Sequence, residues 1–174
     1  MQISFTKNPN PGKMPPEDKL GFGSVFSDHM FLMDYTDAEK WHNARIVPFG
    51  PIPINPAASV LHYANEVFEG MKAYRWADGS IHLFRPMENA KRINISAERI
   101  GLPEIPTDIF VEAVHEVVKV DKDWVPHSEG TSLYIRPFLY AIDPELALHG
   151  IHQATFVIIL SPSASYFAEG IKPV

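Results

Sequence analysis

One stretch, Thr131 to Tyr140 (Thr-Ser-Leu-Tyr-Ile-Arg-Pro-Phe-Leu-Tyr), constrains the fold more than any other. Its alternating apolar and polar-aromatic residues describe a β-strand, whose side chains repeat with a period of two. Ser132, Tyr134, Arg136, Phe138 and Tyr140 therefore share one face, and Leu133, Ile135, Leu139 and Ala141 share the other. The second face is ordinary core. The first carries an arginine between tyrosines, and a guanidinium on a sheet must either reach water or meet an anion. Function is to be sought on that face.

The rest of the chain supplies partners for this strand. Residues 28–34 and 41–47 read as an antiparallel pair around a polar turn, and 57–66 as a short helix. Phe68 to Tyr74 and Ile81 to Phe84 flank Ala77-Asp-Gly-Ser80, a hairpin signal because Gly79 tolerates positive φ. On the first of these strands Phe68, Gly70, Lys72 and Tyr74 share a face, with Gly70 leaving room for a close approach. Pro86 opens a helix on which Met87, Ala90, Ile93, Ala97 and Ile100 recur at helical spacing before Gly101. Thr107 is placed to cap a second helix carrying Phe110, Val114, Val117 and Val118, and a further strand surrounds Phe156. Eight of the sixteen prolines precede residue 57, so the N-terminal arm should be extended. Strands in runs with paired helices between them give an α+β class, a largely antiparallel sheet flanked by helices.

Composition removes several function classes. The 174 residues suffice for one hydrophobic core, and a net charge of −6 argues against nucleic acid as the main partner. Without cysteine there is no disulfide, thiolate metal site or thiol nucleophile. No apolar run spans a membrane and no signal core or early arginine marks the N-terminus, so a soluble cytoplasmic protein is expected. His149 and His152 lack a third ligand nearby, which leaves no metal site. Gly21-Phe-Gly23 lacks the context of a phosphate loop, Ser161 to Ser165 reads as a loop, and Glu66 and Glu69 do not form a catalytic carboxylate pair. Taken singly, the chemical candidates have structural readings: Tyr134 as a satisfied core tyrosine, Lys72 snorkelling, Arg92 paired with Glu88.

Taken together, several ordered segments resemble the branched-chain amino acid aminotransferases, which belong to the fold-type IV pyridoxal-phosphate enzymes. They are Leu61-His-Tyr-Ala-Asn-Glu-Val-Phe-Glu-Gly-Met-Lys-Ala73, Leu83-Phe-Arg-Pro86 with the run from Asn94 to Arg99, and Leu133-Tyr-Ile-Arg-Pro137. The stretches Phe22 to Met30 and Ser161 to Phe167 extend the likeness to nearly the whole chain from Phe22 onward.

The resemblance implies that Arg92 contacts the phosphate of pyridoxal 5'-phosphate. It implies that Phe22, Phe68 and Tyr134 line the pocket for a branched side chain, and that Arg136 holds the distal carboxylate of glutamate in the same pocket. Tyr63, Leu146 and Leu148 would enter the pocket of a second subunit, making a homodimer, and Tyr166 would lie on the interdomain loop. The implied substrates are branched-chain amino acids, glutamate and their 2-oxo acids. The family's Schiff-base lysine belongs to a C-terminal domain, and none of the nine lysines here, Lys72 included, stands in its context. The expected organisation is a small α+β domain over residues 1–160 and an interdomain linker over 161–174, with the cofactor-lysine domain outside this chain. No catalytic residue is therefore expected within it, and the isolated chain is expected to be inactive. The alternatives are a D-amino acid aminotransferase or aminodeoxychorismate lyase of the same superfamily, or a non-catalytic dimerisation domain.

Overall fold

A computed structural model describes residues 1–164. In chain order its elements are β1 (Ser4–Phe5), β2 (His29–Thr36), β3 (Lys40–Pro48), the single turn α1 (Val60–Tyr63), β4 (Glu66–Phe68), β5 (Met71–Arg75), β6 (Ile81–Leu83), α2 (Pro86–Arg99), α3 (Thr107–Val120), β7 (Ser132–Ala141) and β8 (Gln153–Ser163). They form one eight-stranded sheet in the order β1-β3-β2-β8-β7-β5-β6, with β4 also paired to β7. Among the described residues only the β1–β3 pairing is parallel. The expected α+β class with a largely antiparallel sheet is what the chain adopts.

The two long helices cover one face of this sheet. Phe110, Val114 and Val117 of α3 and Ile93 and Ala97 of α2 meet Leu133, Ile135 and Leu139 of β7 and Phe156, Ile158 and Leu160 of β8 in one buried cluster. The Phe156 ring lies 5.6 Å from Phe110 and 6.0 Å from Phe31, which centres the core on β8. Each fully buried apolar side chain of this kind contributes about 1.5–3 kcal/mol. A smaller cluster of Met30, Leu32, Tyr140 and Val157 occupies the opposite face. No helix among the described residues is long and apolar enough to cross a membrane.

Several elements differ from the sequence reading, each for a local reason. The helix expected over 57–66 is one turn, because Ala64 takes φ 54° and returns its N–H to the Val60 carbonyl, ending the coil. The continuous strand expected over Phe68 to Tyr74 is β4 and β5 in one register, since Phe68 opposes Phe138 and Met71 opposes Ile135. The ladder is interrupted where Glu69 donates to the Pro137 carbonyl at 2.8 Å and proline has no N–H to return. Thr107 begins α3 but makes no side-chain cap; Pro106 holds the cap position. The loop expected at Ser161 is strand as far as Ser163, paired residue for residue with β7. Pro162 is tolerated there because β2, whose pairing with β8 stops at Ile158, no longer runs alongside. Pro86 does open α2 at its first turn, and Gly79 takes φ 84° in the β5–β6 hairpin.

Candidate functional site

The period-two face of β7 is real. Leu133, Ile135 and Leu139 are fully buried against the helices, whereas Tyr134, Arg136 and Phe138 point to the opposite, partly open face. There the structure gathers four of the residues singled out in the sequence. The Arg136 guanidinium carbon lies 4.2 Å from the centre of the Phe68 ring and 5.4 Å from that of Tyr134. Its Nη2 donates to the Tyr134 hydroxyl at 2.8 Å. Phe22 meets Tyr134 edge-on at 4.9 Å. The guanidinium therefore lies between the two alternatives set for it, resting on aromatic faces that partly compensate its charge.

Gly70 shows why β4 and β5 can close over this cluster. A Cβ at that position would overlap the Tyr134 hydroxyl, so only glycine lets the phenol lie against the backbone. Phe22, Gly23, Phe26, Tyr134, Arg136, Ile159 and Ser161 line a half-open hollow of about 210 Å³. A second hollow of about 320 Å³ lies on the other side of Tyr134, between Gly70, Lys72, Tyr74, Phe84 and Asn89. A larger open groove, about 660 Å³, runs past Asp34, Arg45, Ile52 and Tyr140. Tyr140 shares the β7 face but stacks on Phe138 and belongs to that groove.

Arg92 does not pair with Glu88, which is instead taken by Lys91 at 3.1 Å. Arg92 binds Glu69 through a two-pronged contact, Nε to Oε1 and Nη2 to Oε2, both at 2.6 Å. Asn89 Nδ2 and the Gly70 N–H add donors to the same carboxylate at 2.9 and 3.3 Å. Burial alone would raise the Glu69 carboxyl, but the Arg92 and Asn89 hydrogen bonds, the Arg92 charge and the Gly70 N–H outweigh it and hold it below the ordinary range. The arginine is raised in turn by the Glu69 hydrogen bond and charge. The Arg92 side chain is still 66% exposed, so it is an oriented cation with a face left to solvent.

Glu69 is the functional-site residue that sequence reasoning missed. Its signal was available in the alternation, because Val67, Glu69, Met71 and Ala73 fall on the core side, where a carboxylate requires a partner. Asn89 lacked any such signal; its role comes from α2 packing beside the β4–β5 break.

Tyr63 and Leu146 come together elsewhere, with the Tyr63 hydroxyl donating to the Leu146 carbonyl at 2.6 Å. Leu148, on the same loop, is 82% exposed. These three are not part of the Tyr134 cluster in this chain. Tyr166 lies outside the described residues. His149 and His152 stack at 5.4 Å, and each has a carboxylate, Glu145 and Asp37 respectively. No group of three or more potential metal ligands occurs among the described residues.

A small α+β domain whose open sheet face carries an aromatic cluster around one arginine is the class these features define. The same fold is found in the branched-chain aminotransferase of Thermoproteus uzoniensis, crystallised with norvaline. That chain superposes with a TM-score of 0.57 at 27% identity, over 76% of this chain and 41% of its own. Sequence agrees: the branched-chain-amino-acid aminotransferase of Mycobacterium tuberculosis is 50% identical over all of this chain, and branched-chain-amino-acid aminotransferase 2 of Bacillus subtilis is 46% identical. The chain belongs to the branched-chain aminotransferase family, and it spans about half the length of the curated relatives it matches, 49% and 47% respectively. No family model matches it.

Proposed function

We propose that this chain builds the substrate side-chain pocket of a pyridoxal-phosphate-dependent aminotransferase that moves the amino group of leucine, isoleucine or valine to 2-oxoglutarate. The observation that carries the reading is the Arg136 guanidinium laid on the Phe68 ring and tethered to the Tyr134 hydroxyl. One pocket must accept both a hydrocarbon and a carboxylate. Aromatic walls give the hydrocarbon about 25 cal/mol per Å² of buried apolar surface. A cation held flat against those walls meets a longer, anionic side chain without intruding on a shorter, apolar one. The norvaline in the Thermoproteus uzoniensis structure supports an apolar pocket.

Arg92 fits the phosphate of pyridoxal 5'-phosphate. Glu69 fixes two of its donors, and its exposed remainder is suited to charge-assisted bonds with an oxyanion. When bound, that cofactor acts as the electron sink for amino-group transfer. This chain binds and orients; it holds no group assigned to proton transfer. The cofactor lysine and the proton relay are assigned to the C-terminal half. The organisation into a small domain, whose sheet runs to Ser163 rather than stopping at the expected residue 160, with a following linker belongs to the same proposal.

The exposed Tyr63, Leu146 and Leu148 are assigned to the pocket of a second copy, which makes the enzyme a homodimer. The family names of the relatives do not favour the D-amino acid aminotransferase or lyase alternatives. The test is Arg136→Met in the full-length enzyme. Activity (kcat/KM) with glutamate and 2-oxoglutarate should fall about 10- to 100-fold, the loss of a hydrogen bond to a charged group. Activity with leucine should stay within about two-fold. Equal losses for all substrates refute the pocket.

A further inference from the structure

Ser161 stands directly opposite Tyr134 in the β7–β8 ladder, and Arg136 is one pair further along, opposite Ile159. All four line the 210 Å³ hollow beneath Phe22. Two of its polar atoms, Ser161 Oγ and Arg136 Nε, are buried with no hydrogen-bond partner among the described residues. Ser161 itself is 3% exposed. Protein interiors seldom leave donors this way, because a desolvated hydroxyl without a partner is costly and alanine would fill the same space more cheaply. Elsewhere on Arg136, Nη2 donates to Tyr134 and the guanidinium lies over the Phe68 ring.

We propose that Ser161 is a specificity-determining residue whose hydroxyl, with Arg136 Nε, forms a two-donor seat for the distal carboxylate of a dicarboxylic substrate. The proposal deepens the aminotransferase reading and rests on it for the identity of the substrates. A carboxylate accepts several hydrogen bonds and satisfies both orphan donors at once. A branched hydrocarbon satisfies neither, and leaves them as they are without it. The hollow has the volume of about seven liquid waters, enough for a carboxylate and its adjoining methylenes. Phe22, Phe26 and Ile159 give the hollow an apolar lining, which strengthens the two bonds.

The experiment is Ser161→Ala in the full-length enzyme, titrated calorimetrically with glutarate and, separately, with 4-methylvalerate. Glutarate binding should weaken about 10-fold, the loss of one charge-assisted hydrogen bond, while 4-methylvalerate binding stays within about two-fold. The thermal midpoint should be unchanged or higher, since the variant removes a buried unpaired hydroxyl. A purely structural serine would lower the midpoint and weaken both ligands alike, and that outcome overturns the proposal. So does glutarate binding that is absent from the wild type or unaltered in the variant. Wild-type turnover of leucine with 2-oxoglutarate is measured alongside. Ser161-dependent glutarate binding without that turnover refutes the aminotransferase reading and leaves the seat standing.

Discussion

Glu69 shows how much one residue can organise. It lies on the core side of its strand, almost fully buried, and is met by Arg92, Asn89 and the Gly70 N–H. Removing either member of the Glu69–Arg92 pair should have unequal effects. Arg92→Ala leaves a buried carboxylate short of donors and should cost about 1.5–3 kcal/mol, whereas Glu69→Gln leaves an exposed cation and should cost less. Chemical denaturation of both variants checks the order. In the full-length enzyme Arg92→Ala should also weaken cofactor retention for every substrate, readable by dialysis. The sign with pH follows from the lowered carboxyl. Its stabilising contribution is complete above the unfolded carboxyl value, about 4.3, and disappears as pH falls through the lower folded value. Glu69→Gln should therefore flatten the acid limb of a stability–pH curve, and an unchanged limb would contradict the assignment. Gly70→Ala tests the close approach of Tyr134. The added methyl must push the phenol away from Arg136, so glutamate turnover should fall at least several-fold.

At the scale of elements, alternation was a trustworthy guide, whereas end signals held for α2, at Pro86 and Gly101, and not for α1 or the Thr107 cap. The β7 faces follow from a period of two, because a half-covered sheet buries every second side chain. Helix ends depended on backbone details with weaker signatures: Ala64 in the left-handed region, and Pro106 before Thr107. The α2–α3 connection is held by one side chain that periodicity does not single out. Asn94 Nδ2 donates to the Ile105 carbonyl at 2.7 Å, and Asn94 Oδ1 accepts from the Ile105 N–H at 2.9 Å. Asn94→Ala strands both backbone groups and should destabilise by about 1–3 kcal/mol. Deleting the core contact of α3 with β8 should cost more. Phe110→Ala should lose about 3–5 kcal/mol through cavity formation, and urea midpoints rank the two.

For the whole molecule, the decisive asymmetry is that both long helices cover one sheet face. The Tyr134 cluster lies on the other, with Phe68 58% exposed at its margin, while Leu148, on a separate loop, is 82% exposed. If Leu148 serves a second copy's pocket, Leu148→Glu should leave the thermal midpoint of the full-length enzyme nearly unchanged. It should lower leucine kcat/KM about 10-fold, equivalent to ~1.4 kcal/mol of lost apolar contact. Normal turnover in that variant would remove the loop from the site. Sequence alone determined the class of fold, the two faces of β7 and the company of Tyr134 and Arg136, because those depend on local periodicity that any half-buried strand obeys. Tertiary structure decided the rest. Glu69 and Arg92 are 23 positions apart, Tyr63 and Leu146 83 apart, and Ser161 faces Tyr134 only through the β7–β8 register. Such pairings arise from how strands and helices pack across the chain, a three-dimensional arrangement that no local pattern encodes.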